Sequence, residues 1–276
     1  MPHSKHAHLK IALLQCDLVW ENPEANTNQI HTWMSQSDLL QEDCDLLLLP
    51  EMWATGFTME PKSKGVILPS DFSDSPQNWP VPLQAMMQWS QMHNAAVVGS
   101  LSCYLSEEDK CVNRCFFMTP DGIQGWYDKL HLFSFAGEDV PYQPGNKKVI
   151  IPWRGWDILL QICYDLRFPE TSRNHPISPF DLILFVANWP EVRSSAWTAL
   201  LPARAIENQT YVAGVNRIGQ DAKGNNHLGY SAVYSPQGNI ISTENHNVNG
   251  WIFAVLDKPA LQQYREKFPV LKDMRS

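Results

Sequence analysis

The chain has 276 residues, of which 44% are hydrophobic and 18% charged, and its formal net charge is −8 at pH 7. This composition excludes a disordered chain, because it supplies enough apolar surface for a large core, and the negative charge argues against nucleic acid as a partner. We expect neither a signal peptide nor a bilayer-spanning run of ~20 apolar residues, and the six scattered cysteines predict a cytoplasmic protein with reduced thiols.

The first half of the chain predicts strands that alternate with helices after a flexible tail at residues 1–8. Short apolar runs predict buried strands at residues 9–17, 44–51 and 95–103. Helical spacing of apolar residues predicts helices at residues 22–43 and 81–94. Residues 60–80 are rich in Pro, Ser and Asp, so they predict a loop that could serve as a lid.

The second half continues the pattern and adds hairpins. Strands are predicted at 111–129 (two strands joined at Asp121-Gly122), 156–163, 181–189, 210–219, 230–241 and 251–257. Helices are predicted at residues 194–208 and in the C-terminal segment. With no linker and no repeat, the order predicts one α/β or α+β layered domain over residues 9–276. The strands are continuously apolar, as expected where both faces of a sheet are covered.

Several standard catalytic and binding signatures are absent. The chain has no G-x-S-x-G, H-E-x-x-H or G-x-G-x-x-G motif, and Gln220 stands where a P-loop would need lysine. Cys103, Cys111 and Cys115 lack the paired spacing of zinc ligands. They are predicted to be small buried hydrophobes, with a structural or redox role as the alternative. We therefore expect no metal and no organic cofactor.

Three polar residues stand where predicted strands end. Glu51 follows "DLLLLP", Lys129 closes "GWYDK", and Cys163 follows "ILLQI". Active residues of α/β sheets collect beyond the carboxyl ends of strands. Taken singly, they could be a helix-start carboxylate, a surface charge and an inert core thiol. Taken together, they offer a thiol nucleophile, a base for its proton and an ammonium for an oxyanion.

These motifs resemble a known family. "LPEMWATGFTM", "WYDKLHLF", "ICYDLRFPE" and "ANWP…ARAIENQ" are similar in order and spacing to the nitrilase superfamily of carbon–nitrogen hydrolases. The resemblance implies a four-layer α-β-β-α sandwich, a Glu51-Lys129-Cys163 triad and a second glutamate, Glu138, near the lysine. It also implies an oxyanion hole made by Lys129 and the Tyr164 N–H, no cofactor, and a homodimer or larger homo-oligomer.

Within the superfamily, "PEMWATGF" and "YDKLHLFSFAGE" are most similar to bacterial omega-amidases, which hydrolyse the side-chain amide of 2-oxoglutaramate. This implies cysteine-dependent amide hydrolysis through a thioester. Amidases of deaminated glutathione and hydrolases of N-carbamoyl compounds stay open as alternatives, followed by a true nitrilase. From other functional classes, the alternatives are a non-catalytic binding or scaffold protein that kept the fold and, third, a zinc hydrolase. His131 is the alternative base for the thiol.

The substrate pocket is less well specified by the sequence. A substrate with a carboxylate at its far end needs a cation, and Arg193 is the candidate, with Trp189 and Phe133 as walls. A surface charge and core aromatics are the alternative interpretation. Arg167, with Asp165 and Glu170, is expected to form ion pairs that hold the turn after Cys163, with direct substrate binding as the alternative for Arg167.

Overall fold

The protein is described by a computed structural model that covers residues 7–69, 72, 75–243 and 247–274. Most of the predicted tail, including His3 and His6, lies outside these residues. His8 already belongs to the first strand, where it pairs with Asp257. Within the described residues, no helix is long and apolar enough to cross a membrane.

The helices and strands follow one another in mixed order. The α-helices are α1 (Pro23–Met34), α2 (Ser37–Glu42), α3 (Pro61–Lys64), α4 (Val81–His93), α5 (Pro169–Ser172), α6 (Ser194–Asn208) and α7 (Lys258–Lys267). The strands of the first half are β1 (His8–Gln15), β2 (Leu46–Leu48), β3 (Val66–Leu68), β4 (Ala96–Leu105), β5 (Lys110–Thr119) and β6 (Gly122–Asp128). Those of the second half are β7 (Ile150–Trp153), β8 (Trp156–Ile162), β9 (Leu182–Ala187), β10 (Tyr211–Asn216), β11 (Ile218–Gln220), β12 (Asn226–Leu228), β13 (Ala232–Tyr234) and β14 (Gly250–Asp257).

The strands form two main sheets. The larger sheet has the order β14-β1-β2-β4-β5-β6, and β3 adds to β4 at its far end. The smaller sheet has the order β13-β10-β9-β8-β7, and β11 and β12 pair as a separate hairpin. Both sheets are parallel at their centres and antiparallel at their edges. This mixture of parallel crossovers and hairpins matches the predicted α/β character.

Alternation along β1 shows how the layers are built. Ile11 and Leu13 face the core between the two sheets, while Ala12 and Leu14 face α1 and α4 on the outer side. The outer face of the smaller sheet is covered by α6. There Gly214 permits close packing, since a Cβ at this position would lie 2.7 Å from Leu201 Cδ1. The four-layer α-β-β-α sandwich is confirmed.

The structure differs from the sequence prediction in several elements. The predicted helix at 22–43 is two helices, interrupted at residues 35–36. The predicted loop at 60–80 contains α3, β3 and a 3₁₀ turn (Pro76–Asn78), so the loop prediction was wrong over much of its length. The predicted strand at 210–219 divides into β10 and β11, and β7 and β12 were not predicted. β7, β11 and β12 are three or four residues long, which is too short for hydrophobic periodicity to identify them.

Candidate active site

The two sheets bring the three predicted residues together. Glu51 lies just beyond β2 in the larger sheet, and its backbone N–H donates to the carbonyl of Ala187, at the end of β9 in the smaller sheet. Lys129 follows β6, and its backbone N–H donates to the backbone carbonyl of Asn113 on β5. Cys163 follows β8. The site therefore lies where strands of both sheets end, which is the placement expected for active residues of α/β proteins.

Cys163 occupies a strained turn. It directly follows β8 and opens a 3₁₀ turn over Cys163–Arg167, with a φ of 44° that non-glycine residues seldom adopt. Such strain is retained where the surrounding structure holds it, and it is common at functional sites. Here the turn carries the thiol from a rigid strand to the wall of a pocket.

Lys129 is a fully buried cation between two carboxylates. Its Nζ lies 2.8 Å from Glu51 Oε1 and 2.9 Å from Glu138 Oε2, and none of the three side chains is exposed to solvent. Glu138 is held in turn by the backbone N–H of Phe133, which donates to Oε2 at 2.6 Å. Burying charge without partners is costly, and Lys129 gives each of the two carboxylates an oppositely charged partner. The predicted pairing of Glu138 with Lys129 is present in the structure.

Two asparagines complete the cluster, and sequence reasoning missed both. The Asn113 side chain donates from Nδ2 to Oε1 of Glu51 at 2.8 Å and to Oε1 of Glu138 at 3.1 Å. The backbone N–H of Asn188 donates to Glu51 Oε2 at 2.9 Å. Their signals in the sequence were weak: Asn113 is a polar residue inside an apolar strand, and Asn188 stands in "ANWP".

Burial dominates the acid–base properties of the cluster. It raises the pKa of the Cys163 thiol well above its ordinary value, and the charge of Glu51 raises it further while Lys129 opposes. Burial also raises the pKa of Glu138. Burial opposes the charge on Lys129, yet Glu138 and Glu51 outweigh it and raise its pKa. The free enzyme thus holds a neutral thiol and a charged ammonium, so the thiol needs a base to react.

Asp165 holds the turn after Cys163, but through hydrogen bonds that were not predicted. Its carboxylate accepts from Tyr127 Oη at 2.7 Å, from the backbone N–H of Ile162 at 3.0 Å and from His131. His131 Nδ1 lies 2.9 Å from Asp165 and its ring stacks on Phe168. His131 is therefore committed to Asp165, which counts against it as the base for the thiol.

The predicted ion pairs of Arg167 and Glu170 are absent among the described residues, so that expectation was wrong. The Asp165 side chain is instead buried and bonded to Tyr127 on β6 and to His131, which follows β6. Glu170 is exposed. The Arg167 guanidinium instead lies 5.0 Å from the ring centre of Trp189.

The pocket beside Cys163 is walled by aromatic side chains. Phe57, Phe133, Tyr164 and Trp189 line it. Phe133 and Tyr164 pack with ring centres 4.9 Å apart. The predicted wall residues Phe133 and Trp189 are thus at the pocket, and Tyr164 contributes its ring besides the predicted backbone N–H. Within the described residues, the pocket lining includes none from 60–80, where a lid was suggested.

Two arginines also line this pocket. Arg193 lies over the rings of Phe133 and Phe135, at 5.1 and 5.3 Å from their centres. Arg167 lies over Trp189 on the same pocket. Neither guanidinium is paired with a carboxylate in the described part of the chain, where the salt bridges involve other residues. Stacked on aromatic faces, both retain their hydrogen-bonding capacity for an anion.

In the described ranges, no group of three or more His, Cys, Asp or Glu side chains is arranged to hold a metal ion. The six cysteines are all free and buried. Burial raises the pKa of Cys16 to about 12, and it raises those of Cys103 and Cys115 as well, which is the behaviour of core thiols.

Comparison with known proteins agrees with this geometry. The family model described as "Carbon-nitrogen hydrolase" matches residues 10–266. The chain belongs to the carbon–nitrogen hydrolase family. It is accordingly a hydrolase that acts on carbon–nitrogen bonds of linear amides, an amidase of the nitrilase superfamily.

Individual members of the carbon–nitrogen hydrolase family are similar over nearly the whole chain. Omega-amidase YafV of Escherichia coli K12 is 44% identical over 265 residues, covering 96% of both chains. The 2-oxoglutaramate amidase of Bacillus subtilis is 28% identical over 96% of this chain and 97% of its own. The crystal structure of XC1258 from Xanthomonas campestris, a CN-hydrolase superfamily protein with an arsenic adduct in its active site, has a TM-score of 0.87 at 34% identity and covers 98% of each chain.

Proposed function

We propose that this amidase hydrolyses the terminal amide of a small dicarboxylate monoamide such as 2-oxoglutaramate, releasing 2-oxoglutarate and ammonia. The observation that carries the proposal is a buried thiol, Cys163, facing a pocket that holds two arginines without carboxylate partners among the described residues. The named activities of the omega-amidase and 2-oxoglutaramate amidase relatives support the same substrate class.

In the proposed reaction, Glu51 accepts the proton of Cys163 while the sulfur attacks the amide carbon. Lys129 and the backbone N–H of Tyr164 stabilise the oxyanion, and a donor of this kind contributes about 10²–10³ in rate. Glu51 then protonates the leaving nitrogen, so that ammonia departs and a thioester remains. Finally Glu51 takes a proton from water, the hydroxyl adds to the thioester carbon, and the sulfur leaves with that proton.

The far end of the substrate is proposed to meet Arg193 and Arg167. A carboxylate accepts two parallel hydrogen bonds from one guanidinium, and aromatic walls that exclude water strengthen the interaction. The aromatic rings also hold the short carbon chain between the carboxylate and the amide. A small acidic amide would thus be bound at one end by charge and presented at the other end to Cys163. The proposal requires no metal or organic cofactor.

Ammonia release from 2-oxoglutaramate by Cys163→Ala tests the mechanism. We expect the variant to lose at least about 10³-fold in kcat, since no other nucleophile faces the pocket among its described lining residues. Cys44→Ala is the matched control, because Cys44 is a buried thiol in a separate apolar cluster and should keep wild-type activity. Full activity of Cys163→Ala would contradict the proposal, and a thioester adduct detected on Cys163 by mass spectrometry would support it.

A substrate panel separates the proposed activity from its relatives within the superfamily. 2-Oxoglutaramate, 2-oxosuccinamate, glutamine, deaminated glutathione and an N-carbamoyl amino acid would be compared by kcat/KM. We expect 2-oxoglutaramate to be preferred, and a higher value for deaminated glutathione or the carbamoyl compound would reassign the substrate. A cytoplasmic location and a homo-oligomeric assembly stay predictions from sequence.

A further inference from the structure

Asn113 is a buried amide with an unusual set of partners. It lies within β5, is not exposed to solvent, and its one NH₂ group reaches two carboxylates at once. One hydrogen is directed to Glu51 and the other to Glu138. Its Oδ1 is buried and has no hydrogen-bond partner among the described residues. Half of the hydrogen-bonding capacity of this side chain is thus unused, which is costly in a protein interior.

The orientation of the amide follows from its surroundings. If Oδ1 and Nδ2 were exchanged, the amide oxygen would face two carboxylate oxygens at about hydrogen-bond distance and repel both. The NH₂ group is therefore the part of the side chain that this position uses. A leucine of similar size would avoid the unpaired oxygen and would suit a strand that is buried over nearly its whole length, so the choice of asparagine requires an explanation beyond packing.

The charges around Asn113 supply that explanation. The titratable groups that face the cluster are Glu51 after β2, Lys129 after β6, Glu138 in the following loop, Cys163 after β8 and Tyr142. Two carboxylates share a single ammonium, so with a neutral thiol the cluster carries one excess negative charge. An amide that donates to both carboxylates offsets part of this charge without adding another proton-exchanging group.

We infer that Asn113 is a positioning residue that aims Glu51 at Cys163 by donating to Glu51 and Glu138 together. The inference rests on the proposed role of Glu51 as the base. Lys129 binds the same Glu51 oxygen, Oε1, while Asn188 binds Oε2. Removing Asn113 would leave Glu51 Oε1 and Glu138 Oε1 dependent on Lys129 alone. The negatively charged form of the cluster would then be stabilised less, so the cluster would bind a proton at higher pH, and Glu51 would be aimed less firmly at Cys163.

The first test is Asn113→Leu, with kcat, KM and the pH profile measured on 2-oxoglutaramate. We expect kcat to fall about 10- to 100-fold, as for loss of a hydrogen bond to a charged group, with KM within about twofold because Asn113 does not line the pocket. The acidic limb of kcat/KM should move to higher pH by about one unit, since the ionised carboxylates have lost a donor.

Asn113→Asp provides a second test, in which we expect relative activity to change with pH in the opposite direction. The new carboxyl group has the same shape and can donate a hydrogen only when it is protonated. Its activity relative to wild type should therefore be highest at acidic pH and fall as the pH rises. A purely structural role would not make two variants at one position change in opposite directions with pH. Thr119→Val is the control, because Thr119 is buried on the same strand and its hydroxyl donates to the Gly122 carbonyl, away from the cluster.

The outcomes separate this inference from the proposed function. If Cys163→Ala is inactive while a folded Asn113→Leu keeps the wild-type kcat and pH profile, the role of Asn113 is wrong and the mechanism stands. If Cys163→Ala is active, the mechanism itself fails. If Asn113→Leu does not fold, Asn113→Asp decides: pH-independent activity relative to wild type would overturn the inference, and relative activity that rises toward acidic pH would support it.

Discussion

At the scale of single residues, the surroundings of Arg193 and Arg167 predict a preference for substrates that carry a carboxylate. Each guanidinium lies on an aromatic face of the pocket and lacks a carboxylate partner within the described residues. Both side chains are partly buried and their stacked faces are covered by the rings, so an incoming carboxylate gains more from pairing with them than with a fully exposed arginine.

We expect Arg193→Met to raise KM for 2-oxoglutaramate about 10- to 100-fold, because a bidentate pair with the substrate carboxylate is lost while the unbranched stem still packs on Phe133. KM for a neutral amide of similar length should change less than about twofold. Arg173→Met is the control, since Arg173 is a surface residue near Glu207. Equal increases for the acidic and the neutral amide would remove Arg193 from the carboxylate site.

At the scale of elements, the turn that follows β8 depends on one buried carboxylate. Asp165 accepts from Tyr127, from His131 and from the end of β8 itself, so it ties the turn over Cys163–Arg167 to β6 and to the segment that follows β6. Cys163 and Lys129 are therefore held in register by the side chain of Asp165.

Asp165→Asn should destabilise the protein by about 2–3 kcal/mol, because an amide cannot accept all of these hydrogen bonds and its NH₂ would face donors. The midpoint of urea unfolding measures this effect, and kcat should fall along with it. Asp109→Asn is the comparison, since Asp109 pairs with Lys62 on the surface and should change stability by less than about 0.5 kcal/mol. Similar shifts of the urea midpoint in both variants would show that Asp165 contributes no more to stability than a surface carboxylate.

At the scale of the whole molecule, a buried histidine predicts acid sensitivity. His227 on β12 is nearly inaccessible, and burial, together with the nearby Arg217, lowers its pKa to about 4. In the unfolded chain a histidine has a pKa near 6.5. Between these two values the unfolded state binds a proton that the folded state does not, so stability falls as the pH drops from about 6.5 to 4.

We expect the free energy of unfolding to fall by about 2–3 kcal/mol more in wild type than in His227→Gln between pH 7 and pH 4. Chemical denaturation at a series of pH values measures the difference. His175→Gln serves as the control, because His175 is exposed and should leave the slope unchanged. If wild type and His227→Gln lose stability in parallel, His227 does not govern the acid response.

The amino-acid sequence alone determined the layered α/β fold, the long strands and the residues at their ends, Glu51, Lys129 and Cys163. These could be predicted because continuous apolar runs must be buried, and because strand ends are where polar chemistry can begin. Glu138 and the pocket residues Phe133, Trp189 and Arg193 followed from the family resemblance and from the needs of an acidic substrate.

Only the tertiary structure decided which side chains face one another. Arg167 was expected beside Asp165 but lies on Trp189, while Asp165 binds Tyr127 and His131. Asn113 is distant in sequence from Glu51, and their hydrogen bond becomes visible only when β2 and β5 of the larger sheet bring the two side chains together. Hydrophobic periodicity along the chain indicates which residues are buried. Which side chains meet across the core depends on strand register and on how the two sheets pack, and no local sequence pattern carries that information.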